Sequence, residues 1–256
     1  MTTETNTPLE LDDIQAGTLR ARPSPYAGAY ILVRVDDRYA GRELLRRLTP
    51  LIASAAEPGD PDKQAYLSVA ISFQGLKALG VPEASLDSFP LEFQQGMAAR
   101  ADILGDVGES APEHWEAPLG LPDVHLALAM ISPDETQLEA VLARAKASLS
   151  DLPGITPLWR QNVYALANDR TSFGFKDGIS HPAVEGSSIP GTNPHEAPIK
   201  AGEFVLGYQD ETGDVIPVPQ PEVLGRNGTY VVFRKLQTRV AAYRQYLRAR
   251  SANKAE

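Results

Sequence analysis

Apolar residues along this chain follow two rhythms, and the points where one gives way to the other mark its elements. "AYILVRV" (29–35) is a nearly unbroken run of β-branched, aromatic and aliphatic residues, which predicts a central strand. From Arg38 the period lengthens. Ala40, Leu44, Leu48 and Leu51 recur at helical spacing, so one helix face packs on that strand, with Asp36 or Asp37 as the cap. "AYLSVAIS" (65–72) predicts a second strand and "DVHLALAMI" (123–131) a third. Next, Ser132, Pro133 and Glu135 fit a capping box with proline at the first helical position. Leu138, Val141, Leu142, Ala145 and Leu149 continue as a helical stripe that Pro153 and Gly154 end. "ITPLWRQNVYAL" (155–166) supplies a fourth strand.

Between 73 and 120, two short helical patterns separated by Pro82 and Pro90 and a turn-rich tail form an insertion. The order β-α-β, β-α-β predicts an α+β fold over residues 1–166. It is the ferredoxin-like split βαβ sandwich, an antiparallel sheet with helices on one face. Residues 167–202 are too long for an ordinary connection and read as a functional loop and linker. Beyond them, "EFVLGY" (203–208) and "TYVVFRKL" (229–236) read as strands, and Leu236, Val240, Tyr243 and Leu247 as the stripe of a last helix. Residues 203–256 therefore read as the beginning of a second, incomplete ferredoxin-like half. Its apolar faces imply a partner.

Composition narrows the function. The chain has 256 residues, 43% of them apolar, enough for an ordinary core. A net charge of −9, spread along the chain, argues against nucleic acid. Arg42, Arg46 and Arg47 read as a solvated helix face. No window is long and apolar enough for a bilayer, and the polar, acidic start lacks the pattern of a secretion signal, so the expected place is the cytoplasm, with no membrane partner. The absence of cysteine removes disulfides, thiolate-held metals and a thiol nucleophile. Asp210, Glu211 and Asp214 in "DETGD" fall short of a calcium loop and read as a solvated hairpin, leaving no metal site.

The chemistry concentrates in "TSFGFKDGISHP" (171–182), where two glycines bracket a lone carboxylate. One reading is a surface turn in which Gly174 and Gly178 supply positive backbone dihedrals and Asp177 bonds neighbouring amides. The other has the glycines bring the backbone against a flat ligand, with Asp177 projecting above it and Phe173 and Phe175 flanking it. Of the four histidines, His125 lies in a strand and reads as structural, while His114 and His195 read as structural or exposed. His181 stands beside the loop.

"LDDIQAGTLR", "FQGLKALGV", "FQQGMAARADILGD", "ESAPEHWE", "GFKDGISHPAVEG" with its G-x-x-D-G signature, "KAGEFVLGY" and "PEVLGRNGTYVVFRKLQ" follow one another along nearly the whole chain. In that order they resemble the dye-decolourising (Dyp-type) haem peroxidases, which are built from two ferredoxin-like halves. The resemblance implies haem b as cofactor, hydrogen peroxide as oxidant and a small aromatic reductant such as a dye or phenol. It makes Asp177 the distal acid–base and puts Phe173, Gly174, Phe175 and Gly178 against the cofactor, with His181 a neighbouring contact rather than the iron ligand. The family's proximal histidine and distal arginine belong to its second half, beyond any segment matching 229–256. The chain is thus expected to be an N-terminal half: one product of a split gene, a truncated product, or a non-enzymatic binding and assembly module. Its partner would be a C-terminal half or a second copy.

Overall fold

The computed structural model describes residues 8–56, 65–166, 168, 170–179 and 181–252. In chain order the elements are α1 (Ala16–Leu19), β1 (Ala27–Val35), α2 (Arg38–Leu48), β2 (Tyr66–Ile71), α3 (Phe73–Ala78), α4 (Glu83–Leu86), α5 (Leu91–Ala99), α6 (Ala101–Leu104), β3 (Leu126–Ser132), α7 (Glu135–Leu149), β4 (Ile155–Tyr164) and α8 (Val240–Ala252). The strands form one antiparallel sheet in the order β2-β3-β1-β4. This is the expected ferredoxin-like α+β arrangement. The two outer strands flank a central pair in which Ala29 lies opposite Met130, and a bulge at Leu32/Val33 interrupts the β1–β4 register.

Strand alternation decides what the sheet buries. Ala27, Ala29, Ile31, Val33 and Val35 of β1, with Leu126, Leu128 and Met130 of β3 and Leu67 of β2, form one core with Leu44, Leu48, Leu138, Leu142, Ala145 and Leu149 of α2 and α7. At the head of α2 the Asp37 carboxylate accepts from the amides of Tyr39 (2.9 Å) and Ala40 (2.8 Å), satisfying two donors that the first turn leaves open. The capping box expected for α7 shifts by two residues. Because β3 runs on through Ser132, paired with Ala27, the hydroxyl of Ser132 donates to the Asp134 carbonyl at 2.7 Å. Asp134 is the cap instead, accepting from Gln137 N at 2.8 Å, and Pro133 stays outside the helix.

The arginine face of α2 is solvated and paired. Glu43 accepts from Arg46 (2.7 Å) and Arg47 (2.9 Å), and Arg47 also reaches Asp151 at 2.5 Å. The two hydrogen bonds on Glu43, Arg46's first, hold its carboxyl at about 2, against an ordinary value of 4.5. A depressed folded value means stability present above pH 4.5 and lost as pH falls from there toward 2. Melting followed by circular dichroism is expected to show this decline below pH 4.5, shallower in Glu43→Gln. Equal slopes in the two proteins would refute the assignment.

Two of the expected strands do not form. Glu203 ends a short 3-10 turn (Ala201–Glu203), residues 204–208 continue as turns, and Gly207 has a φ of 92°, outside the extended region of a strand. Val205 and Tyr208 instead join Leu9, Ile14, Leu19, Ala55, Val184 and Ala201 in a second core that ties the middle of the chain to its N-terminal segment. Residues 229–236 carry the composition of a strand but have no ladder partner among the described residues. Leu236 precedes α8 instead of lying on its stripe, and it is exposed, as are Tyr246 and Leu247. The insertion packs on itself through Phe73, Leu76, Leu86 and Phe89. No helix among the described residues is long and apolar enough to cross a membrane.

Candidate functional site

The loop after β4 is held by its own backbone. Thr171 N donates to the Phe175 carbonyl and Gly174 N to the Thr171 carbonyl, both at 2.8 Å, and Arg170 Nη1 donates to the Gly174 carbonyl at 2.5 Å. Gly174 and Gly178 have φ values of 95° and 70°, the left-handed region that glycine occupies without steric cost. A Cβ built on either would meet nothing within 4 Å, so the space beside the loop is open. The side chain of Asp177 is 56% exposed. Its Oδ1 accepts from the Gly178 amide at 2.9 Å and its Oδ2 lies 3.3 Å from Arg22 Nη2. The positive dihedrals and the amide bond are those of the turn reading.

Phe173 and Phe175 are 37% and 59% exposed, and each meets Tyr243 of α8 edge-on, with ring centroids 4.7 and 6.2 Å apart. Ile179 is exposed beside them. His181 anchors the loop. Its Nε2 lies 3.2 Å from the Leu19 carbonyl, which accepts, and its amide donates to Thr192 Oγ1 at 3.0 Å. His125, which immediately precedes β3, accepts from Val35 N at 3.0 Å through Nδ1, a structural role. His114 and His195 are exposed.

The N-terminal "DIQAG" stretch acts through packing. Ile14 is fully buried, the Gln15 amide both donates to and accepts from the backbone of Val69 at 2.9 Å, and a Cβ on Gly17 would sit 2.8 Å from Ser68 Oγ. Asp13 and Glu10 accept from Asn227 Nδ2 at 2.8 and 3.0 Å. Arg22, which follows this stretch, was not singled out by sequence reasoning. It is 155 positions from Asp177, and its one local signal is Tyr26 four residues on.

Residues 230–239 pack against the sheet and the insertion. Phe233 packs against Tyr30 of β1 (5.2 Å) and Trp159 of β4 (6.2 Å), and Tyr230 against Phe93 of the insertion (5.3 Å). Three cations are paired with acids of the insertion: Arg234 with buried Asp106, Lys235 with Glu116 and Arg239 with Glu109. Hydrogen bonds from Lys235 and Arg239 hold the Glu116 and Glu109 carboxyls below their ordinary range. Burial pushes the Tyr30 and Tyr66 phenols up, which keeps both neutral. Val231 and Val232 remain exposed on the outside of this segment.

The family model for the DyP dimeric alpha+beta barrel domain matches residues 13–153, which include the whole sheet except β4 and both core helices. The chain belongs to the DyP-type peroxidase family. Among its curated relatives, the dye-decolorizing peroxidase msp1 of Mycetinis scorodonius is 29% identical over 215 residues, covering 82% of this chain and 39% of that protein. The dye-decolorizing peroxidase of Mycena epipterygia is 28% identical over 247 residues, covering 93% of this chain and 44% of that one. A solved ancestral D-type dye decolorizing peroxidase superposes with a TM-score of 0.78 at 27% identity, over 94% of this chain and 52% of its own. The chain thus spans less than half the length of these curated DyP relatives.

Proposed function

We propose that this chain contributes the peroxide side of a haem peroxidase site, which oxidises dyes or phenols with hydrogen peroxide, and that Asp177 is its acid–base. The observation that carries the reading is an exposed carboxylate, Asp177, on a loop where Phe173 and Phe175 are exposed and nothing lies within 4 Å of a Cβ on Gly174 or Gly178. A flat apolar group is compatible with the loop at Gly174 and Gly178, where no side chain stands and nothing lies within 4 Å of a Cβ position. Phe173, Phe175 and the backbone at Gly174 and Gly178 would then bound haem b on this face, while His181 anchors the loop through Leu19. When bound, haem supplies the electrons that cleave peroxide and recovers them from the reductant. Asp177 takes a proton from one oxygen of hydrogen peroxide and returns it to the other, which leaves as water.

Residues 203–256, in this reading, open a second ferredoxin-like unit, and residues 167–202 form the loop and linker before it. The exposed Val231, Val232, Leu236, Tyr246 and Leu247 support a further covering segment, from a C-terminal half or a second copy.

The test is a haem titration of the chain alone and mixed with the C-terminal half of a related DyP, followed by peroxide and 2,6-dimethoxyphenol. A saturable Soret band in the mixture and phenol oxidation that needs both parts are expected. Absence of a band under both conditions would overturn the proposal.

A further inference from the structure

We propose that Arg22 is a positioning residue for Asp177, an inference that rests on the acid–base role assigned to that carboxylate. Packing does not fix the direction of the acid, whose side chain is 56% exposed. Two contacts do: the Gly178 amide on Oδ1 at 2.9 Å and the Arg22 guanidinium on Oδ2 at 3.3 Å. Arg22 is itself directed from the sheet. Its Nη1 donates to the Tyr26 hydroxyl at 3.3 Å, and its guanidinium carbon lies 4.7 Å over the centre of the Tyr26 ring. Tyr26 immediately precedes β1, and its carbonyl accepts from Ala165 N, just past β4, at 2.9 Å.

A rigid element thus reaches the exposed carboxylate through a stacked, planar side chain. The choice of arginine matters, because the guanidinium presents donors in a fixed fork that can engage the phenol and the carboxylate together, whereas a lysine ammonium is a single point at the end of a flexible stem. With side chains 49% and 56% exposed, the pair adds little to stability, so what it sets is direction. His181, donating to the Leu19 carbonyl at 3.2 Å, ties the same loop to the same N-terminal stretch. Residues 19–22 are therefore the support on which the acid is aimed.

The experiment uses the chain without haem, so its outcome is independent of whether haem binds. Amide hydrogen exchange at Gly178, together with the carboxyl carbon shift of Asp177, is measured by NMR in the wild type, Arg22→Gln, Arg22→Lys, Asp177→Asn and the Arg22→Gln/Asp177→Asn double variant. Loss of the guanidinium is expected to speed Gly178 exchange about two- to fivefold, with Arg22→Lys intermediate. In the Asp177→Asn background, Arg22→Gln is expected to add nothing. Amides of β1 and β3 serve as the folding control and are expected to be unchanged. Gly178 exchange that ignores Arg22→Gln, or that responds equally with and without Asp177→Asn, would overturn the proposal. A failed haem titration with this coupling intact would instead count against the haem reading alone.

Discussion

Replacing Asp177 by asparagine is expected to slow peroxide-driven phenol oxidation about 10²- to 10⁴-fold in the proposed haem-loaded site, the usual worth of one well-placed proton carrier. The substitution is chosen because it changes little else. An asparagine oxygen can still accept from the Gly178 amide, so the loop keeps its turn, but the amide cannot take and return a proton. What it loses in stability is the pair with Arg22, worth about 0.2–1 kcal/mol for groups this exposed. Haem uptake, followed by the Soret band, is expected to be unchanged. A variant that oxidises phenol at the wild-type rate would remove Asp177 from the chemistry.

The second large effect concerns the scaffold. Leu142 is fully buried on α7 within the core under the sheet. Truncation to alanine is expected to cost about 2–5 kcal/mol, because the transfer energy is lost and the cavity closes only in part. That is a large share of the roughly 5–15 kcal/mol by which a domain of ordinary stability folds. Val231→Ala, on an exposed side chain of the outer segment, is expected to stay within about 0.5 kcal/mol. Urea unfolding of the two variants checks the contrast. Similar losses in both would mean that the outer segment is as much a part of the core as α7.

Much of the first half could be read from sequence because its signals are local. The continuous run of β1, the stripe of α2 and α7 and the punctuation at Pro153 and Gly154 each sit within one window, and they fix the four strands and two core helices. The same locality misled beyond residue 200. "EFVLGY" has strand composition, yet Gly202 lies so close to the backbone of residues 208–210 that any side chain would collide, and the glycine-framed turn sends Val205 and Tyr208 into the second core. That core draws on positions from Leu9 to Tyr208 with no period to reveal it. "TYVVFRKL" failed for another reason: a strand is a pairing, and no described partner pairs with it.

The site divides in the same way. Gly174 and Gly178 marked positive dihedrals, and both adopt them. Asp177 was visible as the lone acid between them. Its ion-pair partner was not, since an arginine in a proline-rich stretch before β1 has no pattern that points across 155 positions. Nor could the sequence reveal that His181 would be engaged by the Leu19 carbonyl. Long-range polar pairs are products of the finished fold, and a local reading lacks the coordinate that joins them.

The face on which the proposed site would receive haem is open to direct measurement. Titrating paramagnetic ferric haem into isotope-labelled chain while recording amide spectra locates it without any turnover. Line broadening centred on Phe173, Gly174, Phe175 and Gly178, fading toward α2 and α7 behind the sheet, is the predicted result. Broadening centred on those helices, with the GFKDG amides left sharp, would contradict it.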